Sequence, residues 1–250
     1  MDPFAPSPGW FREHFNEDYR TIYPARGQAE ADEEAASIVK ALRIRPGERV
    51  LDLCCGFGRH VVALRKLGIH AIGADLSLTL LRQAARGHPA HLVAADMRAL
   101  PFAGGAPGFA VVVNFFTSFG YFAEDSENEA ALREIARVLE AGGRFSLDLM
   151  NAKPAVRSLV PLTVRNAGPY EVREERRHDA ARGRIEKRIS LLCQESGASR
   201  EYFESVRIFT RQEITASLAG AGLTVERVLG GFDGRPHDEG SPRMIVIGRK

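Results

Sequence analysis

Between residues 49 and 150 the sequence alternates short apolar segments with longer amphipathic ones, and this alternation limits the possible folds more than any other feature. Short apolar runs of this kind are typical of strands that are buried on both faces of a sheet. When they alternate with helices, parallel strands joined by helical crossovers are expected. We therefore predict an α/β fold with a doubly wound, mostly parallel sheet. The predicted strands are RVLDL, HAIGAD, HLVAAD, FAVVVN and RFSLDLM, followed later by LTVERVLGG and RMIVIGR.

Residues 151–210 have a different rhythm, in which polar and apolar residues alternate with a period of two and charged residues are frequent. The segments YEVREERRH, RIEKRISLLC and REYFESVRIF, separated by turn-like sequences, predict an antiparallel sheet inserted into the α/β frame. Thr210 and Glu213 then form a capping-box pattern for a helix. We predict four parts: N-terminal helices over 1–45, a core over 46–150, the inserted sheet over 151–210, and a return to the core over 211–250.

Aromatic residues recur at helical spacing near the N-terminus. Phe11, Phe15, Tyr19 and Tyr23 follow an i, i+4 pattern that Pro24 stops, which predicts one short aromatic helix over 11–23. A second helix is expected over about 28–42. On spacing alone the aromatic face is expected to pack on the core, and a place over a ligand site is the alternative.

The composition limits the function classes. With 34 basic and 32 acidic residues the net charge is +2, which provides no general attraction to nucleic acid. No apolar run approaches the roughly 20 residues of a membrane span, and the first residues lack the pattern of a secretory signal, so we expect a cytoplasmic protein without a membrane partner. The three cysteines form neither a disulfide framework nor a metal-ligand spacing, so no metal is expected.

The first predicted strand leads into a glycine-spaced turn, RVLDLCCGFGRHV. Gly56 and Gly58 fit the start of the dinucleotide fingerprint, but Val61 occupies the place of its third glycine, and no Gly-Lys-Ser/Thr phosphate loop follows. Asp52 precedes the turn and Asp75 ends the next strand. A carboxylate at the second position suits the hydroxyls of a ribose. A carboxylate before the turn, such as that of Asp52, suits a cation rather than a pyrophosphate. S-adenosylmethionine, which carries ribose, adenine, an ammonium and a sulfonium, fits this pattern.

These residues resemble the class I S-adenosylmethionine-dependent methyltransferases. VLDLCCGFGRH is similar to their first motif, GADLS to the second, and AADMRALPF to the acidic segment on the adenine side. The resemblance covers roughly residues 46–150 and the last strand. It implies a seven-stranded sheet with an antiparallel final strand, to which the insertion and an N-terminal helical lid are added. S-adenosyl-L-methionine is the cofactor that it implies.

The resemblance also implies cofactor-binding residues. Gly56 and Gly58 would admit the methionine part, Asp75 would hold the ribose, and Asp96 with Met97 would border the adenine. Leu76, next to Asp75, is also predicted to bind the cofactor. Cys54 stands where a glycine is more usual, and its place is either a backbone contact to the cofactor or simple packing. The other predicted cofactor-binding residues are Asp52, beside the cation, and Asn114, at the end of the fourth strand.

Several residues also allow a plainer interpretation. Asp52 could cap a helix, and Asp96 could cap the turn that follows it. The charged strand over 170–177 is expected to be a solvated face, with an acidic-substrate site as the alternative. The candidates for a base or a water-holding group on the acceptor side are Tyr19, Tyr23, His60, Tyr121 and His237. For His60, a structural role is the alternative.

The expected activity is methyl transfer to a nitrogen or oxygen of a small-molecule acceptor, by a monomer or a homodimer. A nucleic-acid acceptor is not expected, because the fourth strand ends in NFFTS rather than the Asn/Asp-Pro-Pro-aromatic motif and no Pro-Cys nucleophile pair is present. The alternatives are a non-catalytic binding protein of the same fold and a methyltransferase that acts on a macromolecule. An NAD-dependent oxidoreductase is disfavoured by the missing third glycine.

Overall fold

The computed structural model describes residue 4 and residues 9–24, 27–87 and 91–250. Strands and helices are numbered along this part of the chain. The strands are β1 (Arg49–Leu53), β2 (His70–Asp75), β3 (His91–Ala94), β4 (Phe109–Asn114), β5 (Leu139–Met150), β6 (Leu162–Ala167), β7 (Tyr170–Asp179), β8 (Arg184–Cys193), β9 (Ser199–Arg207), β10 (Thr224–Leu229) and β11 (Arg243–Arg249). The helices are α1 (Trp10–His14), α2 (Tyr19–Ile22), α3 (Gln28–Leu42), α4 (Arg59–Lys66), α5 (Leu78–Gly87), α6 (Asp125–Val138), α7 (Ala152–Arg157) and α8 (Arg211–Gly220).

Within the described residues, seven strands form a central sheet in the order β10-β11-β5-β4-β1-β2-β3. Strands β1 to β5 pair in parallel, whereas β11 runs antiparallel to both β5 and β10. The prediction of a mostly parallel sheet with an antiparallel final strand is therefore confirmed.

Alternate residues of the central strands enter two apolar cores on opposite faces of the sheet. Val50 of β1 belongs to the core with Ile38 of α3 and Leu64 of α4, whereas the neighbouring Leu51 belongs to the core with Leu132 of α6. Side chains of adjacent strand residues point to opposite faces, so strands that are apolar throughout need helices on both sides. This requirement explains the near-continuous apolar segments of the sequence.

The insertion is a separate antiparallel sheet, whose described strands follow the order β6-β7-β8-β9. β7, β8 and β9 correspond to the three predicted segments. β6 was not predicted, and it is defined by its pairing with β7. Its apolar residues Leu162 and Val164 are exposed, so no buried face distinguishes this edge strand in the sequence. The capping box of Thr210 and Glu213 is present at the start of α8.

The prediction of a single aromatic helix over residues 11–23 is wrong, because the segment forms α1 and α2 with a break between them. Phe15 leaves helical geometry with ψ +68°. The Asn16 side chain then accepts a 2.8 Å hydrogen bond from the Asp18 N–H and donates one to the Glu13 carbonyl. Asparagine side chains that bond nearby backbone groups in this way compete with the helix. None of the helices in the described ranges is long and apolar enough to cross a membrane.

Candidate active site

The central sheet reverses its direction of winding between β1 and β4. β1 pairs in parallel with β2 on one side and with β4 on the other. In open α/β sheets a crevice forms at such a switch point, outside the carboxyl ends of the strands. The loop after β1 and the ends of β2 and β4 therefore meet at one place.

The backbone of the loop after β1 has an unusual conformation. Cys54, Gly56 and Gly58 all have positive φ, at +61°, +55° and +78°. Glycine adopts this region freely, whereas a residue with a Cβ is strained there by about 1–2 kcal/mol. The conformation explains why glycine is the usual residue at position 54, and it makes Cys54 a strained residue in the candidate site.

A cavity of about 640 Å³ opens beside this loop. Two residues that were predicted for the acceptor side, Tyr19 and Tyr121, also contribute to its wall. The predicted cofactor residues that line it are Cys54, Gly56, Asp75, Leu76, Asp96 and Met97.

Asp75 joins the end of β2 to the loop after β1. Its Oδ2 accepts a 2.7 Å hydrogen bond from the Gly56 N–H, and its Oδ1 accepts one of 2.8 Å from the Ser77 N–H. Burial raises the pKa of Asp75, while these backbone donors oppose the rise. A carboxylate oxygen can accept more than one hydrogen bond, so Asp75 is suited to accept further ones from ligand hydroxyls in the cavity.

Asp96 both caps the turn that follows it and lines the cavity. Its carboxylate accepts hydrogen bonds from the Arg98 N–H at 3.0 Å and from Arg98 Nη2 at 2.6 Å, so it caps its own turn. The hydrogen bonds from the Arg98 side chain hold the pKa of Asp96 below its usual value. Asp96 also lines the cavity, so it keeps a charged carboxylate at the wall.

Asp52 and Asn114 are buried next to the cavity rather than in its described wall. Asp52 is 1% exposed and Asn114 is 0% exposed. Within the described part of the chain, Asp52 Oδ2 and Asn114 Oδ1 have no hydrogen-bond partner, whereas Asn114 Nδ2 donates to the Leu53 carbonyl at 2.8 Å. Burial and then the charge of Asp75 raise the pKa of Asp52 well above its ordinary value. Such unsatisfied acceptor oxygens suit a cation that arrives with the ligand.

Gly58 serves a packing role in this structure. It stands at the N-cap of α4, where a Cβ would lie 3.3 Å from the Cβ of Ala84. No side chain caps α4, so the helix-capping alternative for Asp52 is absent from the described contacts. Gly58 is not among the described residues that line the 640 Å³ cavity. Its predicted contact with the methionine part stays a prediction.

A second cavity, of about 1,330 Å³, lies between the ends of the core strands and the inserted sheet. We call it the acceptor cavity and the first one the cofactor cavity. Among the described residues, Phe15, Tyr19 and Tyr121 line both cavities. The rings of Phe15 and Tyr121 are stacked with their centroids 5.6 Å apart, and Phe15 lies 5.3 Å from Tyr19. The two cavities therefore adjoin at these three aromatic residues, which we call the aromatic junction.

Tyr23 lines the acceptor cavity and is tied to the inserted sheet. Its hydroxyl donates a short hydrogen bond to Glu204 and accepts one of 2.6 Å from Lys187 Nζ. Burial raises the pKa of Glu204, but Lys187 and His14, each within 3 Å, outweigh it and hold that pKa well below its usual value. Sequence reasoning missed Glu204 and Lys187, because they looked like ordinary members of charged strands.

His60 is held away from the two large cavities. Its ring stacks on Phe115 with centroids 3.9 Å apart, and its Nε2 lies 2.8 Å from Glu34 Oε2. The side chain is buried, as the structural alternative expected. Neither His60 nor His237 is among the described residues lining either large cavity, although His60 lines a smaller recess beside the glycine loop. Their roles as a base stay predictions.

Arg59 lies beside the candidate site, and sequence reasoning did not name it. A recess of about 370 Å³ beside the loop is lined by Arg59 together with Tyr19, Cys54 and Gly56. The guanidinium lies 4.2 Å from the Phe116 ring centroid and 3.6 Å from Glu34. Its position directly after the glycine turn, in GFGRH, is the signal that could have found it.

Comparison with known proteins agrees with this geometry. A model of the methyltransferase domain matches residues 50–143, which include the loop after β1, Asp75 and Asp96. This part of the chain is therefore similar to the methyltransferase domain family. The matched residues contain almost all of β1, all of β2 to β4 and the start of β5, whereas β10 and β11, which complete the central sheet, lie outside the match.

The curated relatives match less than half of the chain. The chain is 39% identical over 108 residues to the demethylmenaquinone methyltransferase of Corynebacterium kroppenstedtii, covering 43% of this chain and 44% of the relative. It is 44% identical over 106 residues to the enzyme of that name from Mycobacterium tuberculosis, covering 42% of each. The match thus spans less than half the length of these relatives.

Solved structures share the fold over almost the whole chain. The CcbJ methyltransferase from Streptomyces caelestis has a TM-score of 0.78 at 21% identity, covering 94% of this chain and 97% of that one. An amino pentose methyltransferase from Micromonospora echinaspora has a TM-score of 0.67 at 22% identity, covering 93% and 96%. At these identities the likeness shows that this chain has the same fold as those structures, and it shows the fold alone.

Proposed function

We propose that this protein is a methyltransferase that uses S-adenosylmethionine to methylate a nitrogen or an oxygen of a small-molecule acceptor. The observation that carries the proposal is the pair of cavities that share Phe15, Tyr19 and Tyr121. One cavity lies beside the glycine loop and Asp75, and the other lies against the inserted sheet. A methyl donor and an acceptor bound in them would meet at the aromatic junction.

The chain's polar groups fit the parts of the cofactor. Asp75 would accept hydrogen bonds from the ribose hydroxyls, and Asp96 and Met97 would border the adenine. The unpartnered oxygens of Asp52 and Asn114 would face the ammonium, and Arg59 would face the carboxylate. When bound, the cofactor supplies a methyl group on a positively charged sulfur.

The aromatic junction would align the reactants and exclude water. Methyl transfer from the sulfur is an in-line displacement. It depends mainly on placing the nucleophile opposite the leaving sulfur in a dry site. The faces of Phe15, Tyr19 and Tyr121 also suit a positive charge. Tyr19, Tyr23 and Tyr121 are the candidates to hold the acceptor or to accept its proton.

The N-terminal segment would act as the lid of this site, and the inserted sheet would form the wall of the acceptor cavity. Phe11 and Tyr19 already contribute to the cofactor cavity. Solved structures of the same architecture include the amino pentose methyltransferase named above and a sugar N-methyltransferase from Streptoalloteichus, and these names support a small-molecule acceptor. A cytoplasmic location, the absence of a nucleic-acid partner, and a monomeric or homodimeric state stay predictions.

Calorimetry with S-adenosylmethionine and its demethylated product, without added metal, tests the cofactor. We expect both to bind the full chain, and binding of NAD alone would contradict the proposal. Incubation with labelled cofactor and a metabolite extract then tests transfer. We expect one or more small molecules to gain the mass of a methyl group, whereas cofactor binding without any such product would favour a non-catalytic binding protein.

A further inference from the structure

Most of the charged side chains in the described lining of the acceptor cavity are cationic. Arg176, Lys187 and Arg243 line it, whereas Glu204 is the one carboxylate among its described lining residues. Two of the cations have their paired acids behind them. The Arg243 side chain is 26% exposed against 1% for Asp148, and that of Arg176 is 19% exposed against 9% for Glu174. The cavity surface therefore carries N–H groups, and most of the compensating negative charge lies deeper.

Arg243 has a fixed orientation at this wall. Its Nε donates a 2.6 Å hydrogen bond to Asp148 Oδ1, and its Nη2 donates a short one to Oδ2. The guanidinium also lies 5.2 Å from the ring centroid of Phe116 and 5.5 Å from that of Phe232. A planar guanidinium held by a carboxylate on one edge and by aromatic rings loses little freedom when it binds a ligand.

The remaining edge of Arg243 is available to a ligand. In the described part of the chain, Arg243 Nη1 donates no hydrogen bond, since the contacts of this side chain go through Nε and Nη2 to Asp148. Asp148 also accepts a 2.8 Å hydrogen bond from the Phe116 N–H, so it is fully engaged by its neighbours. Phe116 and Thr117, next to this pair, have φ of +61° and +55°, so the strained turn after β4 is held at the same place.

The one carboxylate in the wall is already neutralised. Glu204 lies 2.9 Å from Lys187 Nζ and 2.8 Å from His14 Nε2, and it accepts a hydrogen bond from Tyr23. It therefore offers little attraction to a cationic ligand. The N–H groups of Arg176 and Arg243 need an acceptor, and an ammonium group has no lone pair to offer them.

We propose that the acceptor carries an anionic oxygen group, a carboxylate or a phosphate, and that Arg243 Nη1 binds this group in the acceptor cavity. The inference rests on the proposed function, because it concerns the second substrate of the same site. Arg243 is a specificity-determining residue that orients the acceptor toward the aromatic junction. Arg176, in the charged strand β7, also lines the cavity. An acidic-substrate site at this strand is the alternative that the sequence left open.

The test uses the full chain saturated with the demethylated cofactor and four probes of matched size: benzoate, phenyl phosphate, benzyl alcohol and benzylamine. Calorimetry or ligand-observed NMR measures their binding. We expect benzoate or phenyl phosphate to bind at least about tenfold more tightly than the other two, and the stronger of the two anions identifies the acidic group. Equal or tighter binding of benzylamine or benzyl alcohol, or binding of neither anion, would overturn the proposal.

Variants assign the effect to Arg243. Arg243→Met should weaken anion binding by about tenfold or more, and Arg243→Lys should restore part of it, because a lysine keeps the charge but not the planar fork. Arg249→Met, on the same strand but exposed and paired with Glu226, is the matched control and should bind like the wild type. If Arg243→Met does not fold, Arg176→Met replaces it, with a smaller expected loss. Unchanged anion binding in the folded variant contradicts the proposal, whereas failure of the wild type to bind the demethylated cofactor contradicts the proposed function instead.

Discussion

The carboxylate of Asp75 accepts a 2.7 Å hydrogen bond from the backbone N–H of Gly56, and this bond closes the loop after β1 against the end of β2. The two residues are 19 positions apart in the chain, yet they form one wall of the cofactor cavity. The acid thus shapes the loop in addition to lining the cofactor cavity.

Replacing Asp75 should affect both roles. Asp75→Ala should weaken binding of S-adenosylmethionine by about 1–3 kcal/mol, because charge-assisted hydrogen bonds to buried partners are lost. It should also lower the free energy of unfolding of the unliganded protein, since the N–H groups of Gly56 and Ser77 lose their acceptor. Calorimetry and urea unfolding measure the two effects. Asp233→Asn, at an exposed acid, is the control, and a folded Asp75→Ala protein with unchanged affinity would limit Asp75 to the loop.

We expect the Asp52 side chain to lower the stability of the unliganded protein and to strengthen cofactor binding. Its pKa in the folded protein is raised by burial, so folding opposes its ionisation. A carboxyl with a raised folded pKa reduces stability as the pH rises above its unfolded value of about 4. Asp52→Asn should therefore raise the free energy of unfolding by about 1–3 kcal/mol at neutral pH, and the gain should vanish below about pH 4. The variant should bind S-adenosylmethionine more weakly.

Proton release gives a second measurement on Asp52. If the ligand ammonium pairs with this carboxylate, binding favours the ionised form, so the wild type should release protons when it binds. The release should disappear at a pH high enough for Asp52 to be ionised already in the unliganded protein. Calorimetry in buffers of different ionisation enthalpy measures it. An equal release from Asp52→Asn would assign the proton to another group.

Cys54 and its neighbour Cys55 offer a matched pair of substitutions. Cys54→Gly should keep or raise the free energy of unfolding, by about 0–1 kcal/mol, because relief of the strain at φ +61° is partly offset by the flexibility of glycine. Cys55 is buried in the core with α3 and α4 and has no such strain, so Cys55→Gly should lower it by about 1–3 kcal/mol. Urea unfolding measures both. A larger loss from Cys54→Gly than from Cys55→Gly would show that the Cys54 side chain stabilises the loop.

Hydrogen exchange tests the proposed lid. α1 and α2 are too short to be stable alone, but Phe11 packs in the main core and Ile22 packs against the inserted sheet. We therefore expect partial protection of residues 11–23 without cofactor and stronger protection with it. Full protection in both states would make the segment part of the core. Equal, rapid exchange in both would remove it from the mechanism.

The cofactor side could be predicted because its information is local. The strand that ends at Leu53, the glycine turn and the acid at the end of the next strand are adjacent in sequence, and each follows from a short pattern. Cys54 could even be identified as an unusual residue before its positive φ was known. The aromatic helix was predicted less well, because the hydrogen bonds of Asn16 break a pattern that spacing alone would continue.

The acceptor side was decided by the tertiary structure. Arg243 and Asp148 are 95 residues apart, and Tyr23 meets Glu204 across 181. In the sequence these are charged residues on ordinary strands, and no local pattern marks them as partners. Only the antiparallel pairing of β11 with β5, and the packing of the N-terminal segment on the inserted sheet, place them at one cavity. The sequence alone determined the α/β sheet and its cofactor loop, because apolar periodicity and glycine conformation act within a few residues. Contacts between distant strands determined which charges line the acceptor cavity, because strand pairing and burial depend on the whole chain.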